Sequence, residues 1–432
     1  MLTISSLKIA TLALVIALSS TAYAQELSYL DAAKQMLESN PDLSNLRAQE
    51  ESLKYKSVQA IAPNEPEFTY SKTDLATPNI FKDGGATVFG VNWTLGFPGK
   101  AWAQRKQLRH QADSLQELSY QRELELLTTL SSVYVELSVN QNTMQTLKEE
   151  LKRAQQTVIL TEKRYSSAQA AQTDILNAKF YQASVDQDIL AQEASRDALL
   201  IQFRALLRKP EEQSLTPKLS NDWVATTLDK PFADLKNVMF GTRPQLKSVV
   251  ATKEAANAAL TGALLAPLPD FQLSLAYNDY HIDSAAPVIG LNRSYSVGVG
   301  ISIPIFFPFN ELSGIKSARM DLQAAEFAEE SARISVISDL QNLYTHFESA
   351  KRLLQSTEDF VVPAAKANYT LTLKTFEAGK LDYLKLLDAR KNWIQSQRDL
   401  LDHQKELAET ISQIVLEVGC DWTREGVPHA CK

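Results

Sequence analysis

Between Lys100 and Lys209 the chain contains neither glycine nor proline. Without those residues there is little to build turns from, so extended loop structure is excluded over most of that stretch. Cysteine is also scarce: Cys420 and Cys431 are the whole complement, which rules out a disulfide-framework domain. The five histidines, His110, His281, His346, His403 and His429, are scattered without acid–base or metal-ligand spacing. His429 stands near Cys431, but two Cys and one His are too few for a closed zinc site. No catalytic, metal or cofactor-binding residue is therefore assigned, and the chain is not expected to be an enzyme. No Gly-x-x-x-x-Gly-Lys-Ser/Thr sequence occurs, so no nucleotide site is expected. Acidic side chains outnumber basic ones, 51 to 44, which argues against nucleic acid as a partner.

Long apolar runs are lacking too. The run Ile9–Leu18, with Lys8 before it and Ala22-Tyr23-Ala24 after it, has the order of a secretion signal. Residues 1–24 are thus expected to be removed ahead of Gln25. No other segment approaches the roughly 20 apolar residues of a transmembrane helix, so any membrane crossing must be made by strands. In an exported chain Cys420 and Cys431 are expected to form a disulfide within a short C-terminal tail, 420–432.

What is present is one long unit written twice. Asn40-Pro41-Asp42-Leu43 recurs as Arg243-Pro244-Gln245-Leu246, and Pro66-Glu67-Phe68 as Pro269-Asp270-Phe271. Leu130–Tyr134 recurs as Leu340–Tyr344, and Arg164–Ala168 as Thr375–Gly379. The lag drifts only from roughly 203 to 211 positions, as small loop insertions produce. The first repeat is set at 25–230 and the second at 231–419.

Each repeat reads as helix, two strands, then a long helical hairpin. Leu127, Leu130, Tyr134 and Leu137 alternate spacings of three and four, and Met144, Leu147 and Leu151 continue them. Val336, Leu340, Leu343, Phe347, Ala350 and Leu354 answer in the second repeat. This is the narrow seam of helices packed as coiled coils. A single helix of that length exceeds what globular domains use. The chain is therefore expected to fold back near 166–173, and again near 377–383, where Gly379 is free to take a left-handed turn.

The strands are expected at about 66–75, 87–96, 270–279 and 294–304. In the last, Tyr295, Val297, Val299, Ile301 and Ile303 share a face, opposite Ser294, Ser296, Gly298, Gly300 and Ser302. Runs of that length with apolar and polar faces match tilted transmembrane strands. A half-buried hairpin on a soluble domain shows the same alternation. However, four strands flanked by coiled coils have no evident core to cover. Four strands cannot close a barrel, and open edges do not survive in lipid. Three copies would supply about 12 strands, enough for a water-filled lumen.

With these residues the chain resembles the TolC-like outer membrane efflux family across the mature sequence. The paired Asn40-Pro-Asp-Leu and Arg243-Pro-Gln-Leu starts carry the likeness, with the strand-to-helix junctions and the segments around Tyr165…Asp174 and Phe376…Ala389. The junction Gly96-Phe97-Pro98-Gly99-Lys100 looks closest to the heavy-metal and cation efflux branch. The resemblance implies a mainly α fold with a small β part. In it, long coiled-coil hairpins and four transmembrane strands per chain trimerise into a 12-stranded barrel continuous with an α-helical tunnel. It implies an outer membrane location with a long periplasmic extension, and a passive channel of a tripartite efflux system. Its partners would be a periplasmic adaptor (membrane fusion) protein and an inner-membrane pump, expected to be proton-driven, with no cofactor of its own.

The family's acidic aperture positions fall on Lys385 and Asp388, of which only the second is acidic here. A three-fold ring of Asp388 would bind cations and restrict anions. Asp174 and Asp382 are the further aperture residues, and Lys385 is placed to pair with Asp174 or Asp388 and lock a closed tip. The adaptor is expected at the small residues of the tips: Ala168, Ala171, Thr173, Gly379 and Lys380. The competing reading is a structural or adhesive coiled-coil protein of the cell envelope. It accounts for export and helices but not for the duplicated strand pairs.

Overall fold

A computed structural model describes residues 25–73, 86–210, 215–219, 228, 230–280, 293–303 and 305–420. The expected secretion signal, His281, Pro304, His429 and Cys431 lie outside the described residues. The first repeat comprises β1 (Gln25–Leu27), α1 (Tyr29–Ser39), α2 (Pro41–Gln59), β2 (Glu67–Thr73), β3 (Ala86–Leu95), α3 (Pro98–Ser166), α4 (Gln172–Leu206) and β4 (Leu215–Pro217). The second comprises α5 (Phe232–Thr242), α6 (Pro244–Leu265), β5 (Phe271–Tyr280), β6 (Arg293–Ile301) and α7 (Glu311–Ser356). It ends with a π-helical turn (Thr357–Val361), α8 (Val362–Glu377) and α9 (Tyr383–Val418).

The recurring proline motif is a helix start. Pro41 and Pro244 each occupy the first helical position, where a missing N–H costs nothing. Asn40 Oδ1 accepts from the Asp42 backbone N–H at 2.8 Å, the usual work of a capping residue. Arg243 stands in the same place in the second repeat and acts differently. It is buried, donates to the Leu416 carbonyl, and pairs with Glu417 at 3.0 Å, so it satisfies the end of α9 instead.

The chain forms two compact units, and neither is a repeat. Residues of the first fall within Met1–Leu43, Gln121–Arg243 and Val336–Lys432; those of the second within Ser44–Tyr120 and Pro244–Ser335. Long helices packed side by side touch whatever lies beside them rather than their own chain neighbours. Contacts therefore group segments of both repeats together.

In the first unit, Leu127, Leu130, Tyr134 and Leu137 face inward with Met36, Leu43, Phe203 and Leu215. The segment after α4 contributes β4, which pairs in parallel with β1 from Gln25↔Leu215 to Leu27↔Pro217. The Tyr134 hydroxyl donates to the Leu27 carbonyl at 2.9 Å and fixes that strand against α3.

The second unit holds a four-stranded antiparallel sheet in the order β2-β3-β5-β6. Its register places Tyr70, Phe89, Tyr277 and Tyr295 in one row across all the strands. Their rings lie 5.2, 6.5 and 5.3 Å apart in succession. Leu275 and Val297 continue the same face. The other face carries Thr69, Gly90, Ala276 and Ser296, with Asn92, Ser274 and Gly298 beside them. Period-two alternation in matched register thus gives one largely apolar surface, with Lys72, Asp279 and Arg293 in a row at one end, and one largely polar surface, with Glu67 at the start of β2. Among the described residues, β2 and β6 have no strand on their outer edges.

Candidate functional site

The two helix turns expected at the tips both fall in the first unit and are built alike. At the first, the Gln169 N–H donates to the Arg164 carbonyl at 2.8 Å and Ala168 N–H to Tyr165 at 2.9 Å. At the second, Lys380 N–H donates to Thr375 at 3.1 Å and Gly379 N–H to Phe376 at 2.9 Å. This pair of bonds closes a helix end only if one residue turns left-handed. Gly379 does so with φ +73°, and Ala168 does so with φ 57°, although an L side chain disfavours that region.

Arg164 joins the turns. One of its guanidinium nitrogens donates to the Phe376 carbonyl at 3.1 Å and the other to the Gln169 carbonyl at 3.3 Å. The guanidinium also lies 4.5 Å from the centre of the Phe376 ring.

The expected aperture residues take two roles. Asp174 accepts from the Ala171 N–H at 3.2 Å, and Asp382 accepts from the Lys385 N–H at 3.2 Å. Both carboxylates cap the helices that leave the turns, where partial positive charge gathers. Lys385 and Asp388 are exposed on α9. The expected locking ion pair is not formed: among the described residues Lys385 pairs with neither Asp174 nor Asp388. One reason is that Asp174 already serves the start of its own helix. Ala168, Ala171, Thr173, Gly379 and Lys380 are exposed at the turns. Cys420 is buried, and Cys431, its expected partner, lies outside the described residues.

Above the turns is a buried polar group that the sequence reading missed. Arg390, 1% exposed, forms an ion pair with Glu150, its Nε 3.2 Å from Oε1, and Glu150 is 0% exposed. Arg390 also donates to Thr157 Oγ1 at 2.9 Å and to the Tyr369 hydroxyl at 3.3 Å. The Tyr181 hydroxyl donates to the same Glu150 oxygen at 3.1 Å. The group therefore ties α3, α4, α8 and α9 together. Burial pushes the Glu150 carboxyl above its ordinary range, against the pull of Arg390, Tyr181 and Arg153. A signal was available: Tyr383, Leu386, Arg390 and Trp393 follow seam spacing, with a charge at a position where an apolar residue belongs.

The fold has counterparts among known proteins. The model of a family described as outer membrane efflux protein matches residues 32–207 and 239–419. Protein CyaE of Bordetella pertussis is 22% identical over 278 residues, covering 63% of this chain and 57% of CyaE. The match thus spans little more than half the length of that relative. The outer-membrane channel OprN has 19% identity and a TM-score of 0.74, covering 91% of this chain and 90% of its own. CusC, described for its folding and transmembrane channel formation, has 16% identity and a TM-score of 0.75, covering 90% and 91%. The likeness is even across these structures and selects no branch of the family.

Proposed function

Since the chain belongs to the outer membrane efflux protein family, we propose that it is one of three identical subunits of a channel that carries exported substrates across the outer membrane. The observation that carries this reading is the sheet of the second unit. One face is largely apolar and the other largely polar, and among the described residues neither edge carries a further strand. Open edges are costly in lipid, where backbone groups find no water. Three copies joined β6 to β2 would close the edges in a barrel, with the apolar faces to lipid and the polar faces to a lumen.

In this reading the long helices extend into the periplasm as a tunnel. The turns at Ala168, Ala171, Thr173, Gly379 and Lys380 meet a periplasmic adaptor. An inner-membrane pump, proton-driven, supplies the energy, so the chain needs neither a cofactor nor a catalytic step. Asp388 forms a three-fold carboxylate ring at the narrow end, with Lys385 beside it and Asp174 and Asp382 holding the helix starts.

Native mass spectrometry of protein extracted from the outer membrane in mild detergent tests the assembly. A trimer is expected. A stable monomer, or recovery in the soluble periplasm, leaves the edges open and overturns the reading in favour of an envelope coiled-coil protein.

A further inference from the structure

The two strand-to-helix junctions of the sheet are built from opposite materials. At the first, α3 begins at Pro98, shortly after β3 ends at Leu95. That junction is fastened by polar contacts: Asp270 accepts from the Phe97 N–H and from Lys100 Nζ, each at 2.9 Å. At the second, β6 ends at Ile301 and α7 begins only at Glu311. The intervening stretch presents Ile303, Ile305, Phe306, Phe307 and Phe309, all exposed. No Asp, Glu, Lys, Arg or His side chain occurs between Arg293 and Glu311.

The backbone of this stretch closes on itself. Ile305 N–H donates to Ile303 at 2.9 Å, Phe309 N–H to Phe306 at 2.9 Å, and Leu312 N–H to Phe307 at 3.0 Å. Such a turn offers its surroundings apolar side chains with several of its N–H groups already satisfied, which suits an apolar medium better than water. Ile303 and Ile305 also continue the odd-numbered apolar series of Tyr295, Val297, Val299 and Ile301.

We infer that Ile303, Ile305, Phe306, Phe307 and Phe309 form a membrane anchor that enters the phospholipid leaflet at the helix end of the sheet. This rests on the reading of the sheet as a barrel wall. The occupant is phospholipid: the patch is uncharged, aromatic and continuous with the apolar face, as the interfacial belts of membrane proteins are. The first junction presents the exposed Trp102 in the opening turns of α3 but no comparable run, so a trimer would hold three such anchors at equal spacing.

The test uses the full chain in phospholipid vesicles, with a nitroxide on Phe309→Cys, on Val297→Cys in the sheet, or on Gln59→Cys as a water-exposed reference. The unsubstituted protein gives the background from the native cysteines. Collision rates with oxygen, which concentrates in lipid, and with a water-soluble nickel chelate are compared. The expected result is an oxygen-to-nickel ratio several-fold above that of Gln59→Cys at both Phe309→Cys and Val297→Cys. Phe306→Cys reads the same surface if the Phe309 variant fails to assemble. A lipid signal at Val297→Cys with a water signal at Phe309→Cys overturns the anchor and leaves the barrel standing. An immobile Phe309 label reached by neither reagent places a second copy of the chain there and also overturns it. A water signal at Val297→Cys overturns the barrel reading and the anchor with it.

Discussion

Arg164 holds Phe376 twice, by a 3.1 Å hydrogen bond to its carbonyl and by a cation–π contact 4.5 Å from its ring centre. The contact couples the end of α3 to the end of α8, so each helix turn is braced by the other. A lysine offers one point of charge in place of a planar fork and cannot make both contacts with the bond to Gln169.

Arg164→Ala is therefore expected to loosen both turns, by about 1–2 kcal/mol of local stability. Hydrogen exchange at Gln169 and Lys380 measures it: about a tenfold rise is expected at both. Unchanged exchange at Lys380 would show that the second turn stands without Arg164. Arg164→Lys should recover only part of the loss.

Ala168 and Gly379 occupy equivalent left-handed positions with different residues. Ala168→Gly should stabilise the first turn by about 1 kcal/mol, since it removes the side-chain conflict with the following carbonyl. Gly379→Ala should destabilise the second turn by about as much, through backbone strain alone. A Cβ there meets only Arg164 Nη2, at 3.9 Å. Denaturant midpoints of the two variants should move in opposite directions, and movement in the same direction would refute the equivalence of the turns.

Removing one member of the buried ion pair should cost far more than removing both. Arg390→Met alone leaves Glu150 buried without its partner and is expected to cost about 3–5 kcal/mol. The double variant Arg390→Met with Glu150→Leu should recover most of that loss. A double-mutant cycle with no coupling between the positions would count against the pairing.

Glu150 also gives stability a pH dependence. Its folded-state carboxyl is raised above the ordinary value, chiefly by burial. The folded chain therefore holds that proton to higher pH than the unfolded chain does. The contribution from this group is fully present below the ordinary carboxylate range and is lost as pH rises through the raised folded value. Glu150→Gln should flatten that part of the stability profile, read from midpoints measured at a series of pH values. An unchanged profile would mean that the carboxyl titrates normally.

If Asp388 lines the narrow end, Asp388→Asn should lower the preference for cations over anions several-fold in planar-bilayer recordings at low salt. The difference should fade in about 1 M salt, where the screening length falls to about 3 Å. Equal selectivity at every salt concentration would remove Asp388 from the aperture.

Most of the architecture could be read from the sequence because it depends on periodicity. The stretch free of glycine and proline became α3 and α4, and the alternating segments became strands in matched register. The turn at Gly379 was legible because glycine announces a left-handed residue. The turn conformation at Ala168 was not, because alanine carries no such mark and is held there by the hydrogen bonds around it. The roles of Asp174 and Asp382 depended on where each helix began, which composition fixes only loosely. Arg390 was legible in principle, but a charged residue in a seam names its partner only when the opposing helices are in place. The segment after α4 could not be derived because β4 is a short strand whose partner, β1, lies at the far end of the repeat.

The wide turn at Thr357–Val361 inserts one residue into an otherwise regular seam. Up to its first residue, Phe347, Ala350 and Thr357 face inward; beyond it the inward positions are Tyr369 and Phe376, each one place later than a heptad count from Phe347 predicts. Pro363, which has no N–H to donate, sits just past the widened turn, where the helical ladder is already interrupted. The wide turn therefore works like the leap day in a calendar. One extra count, taken at a fixed place, lets two stretches of different natural rhythm each keep step with its own neighbours.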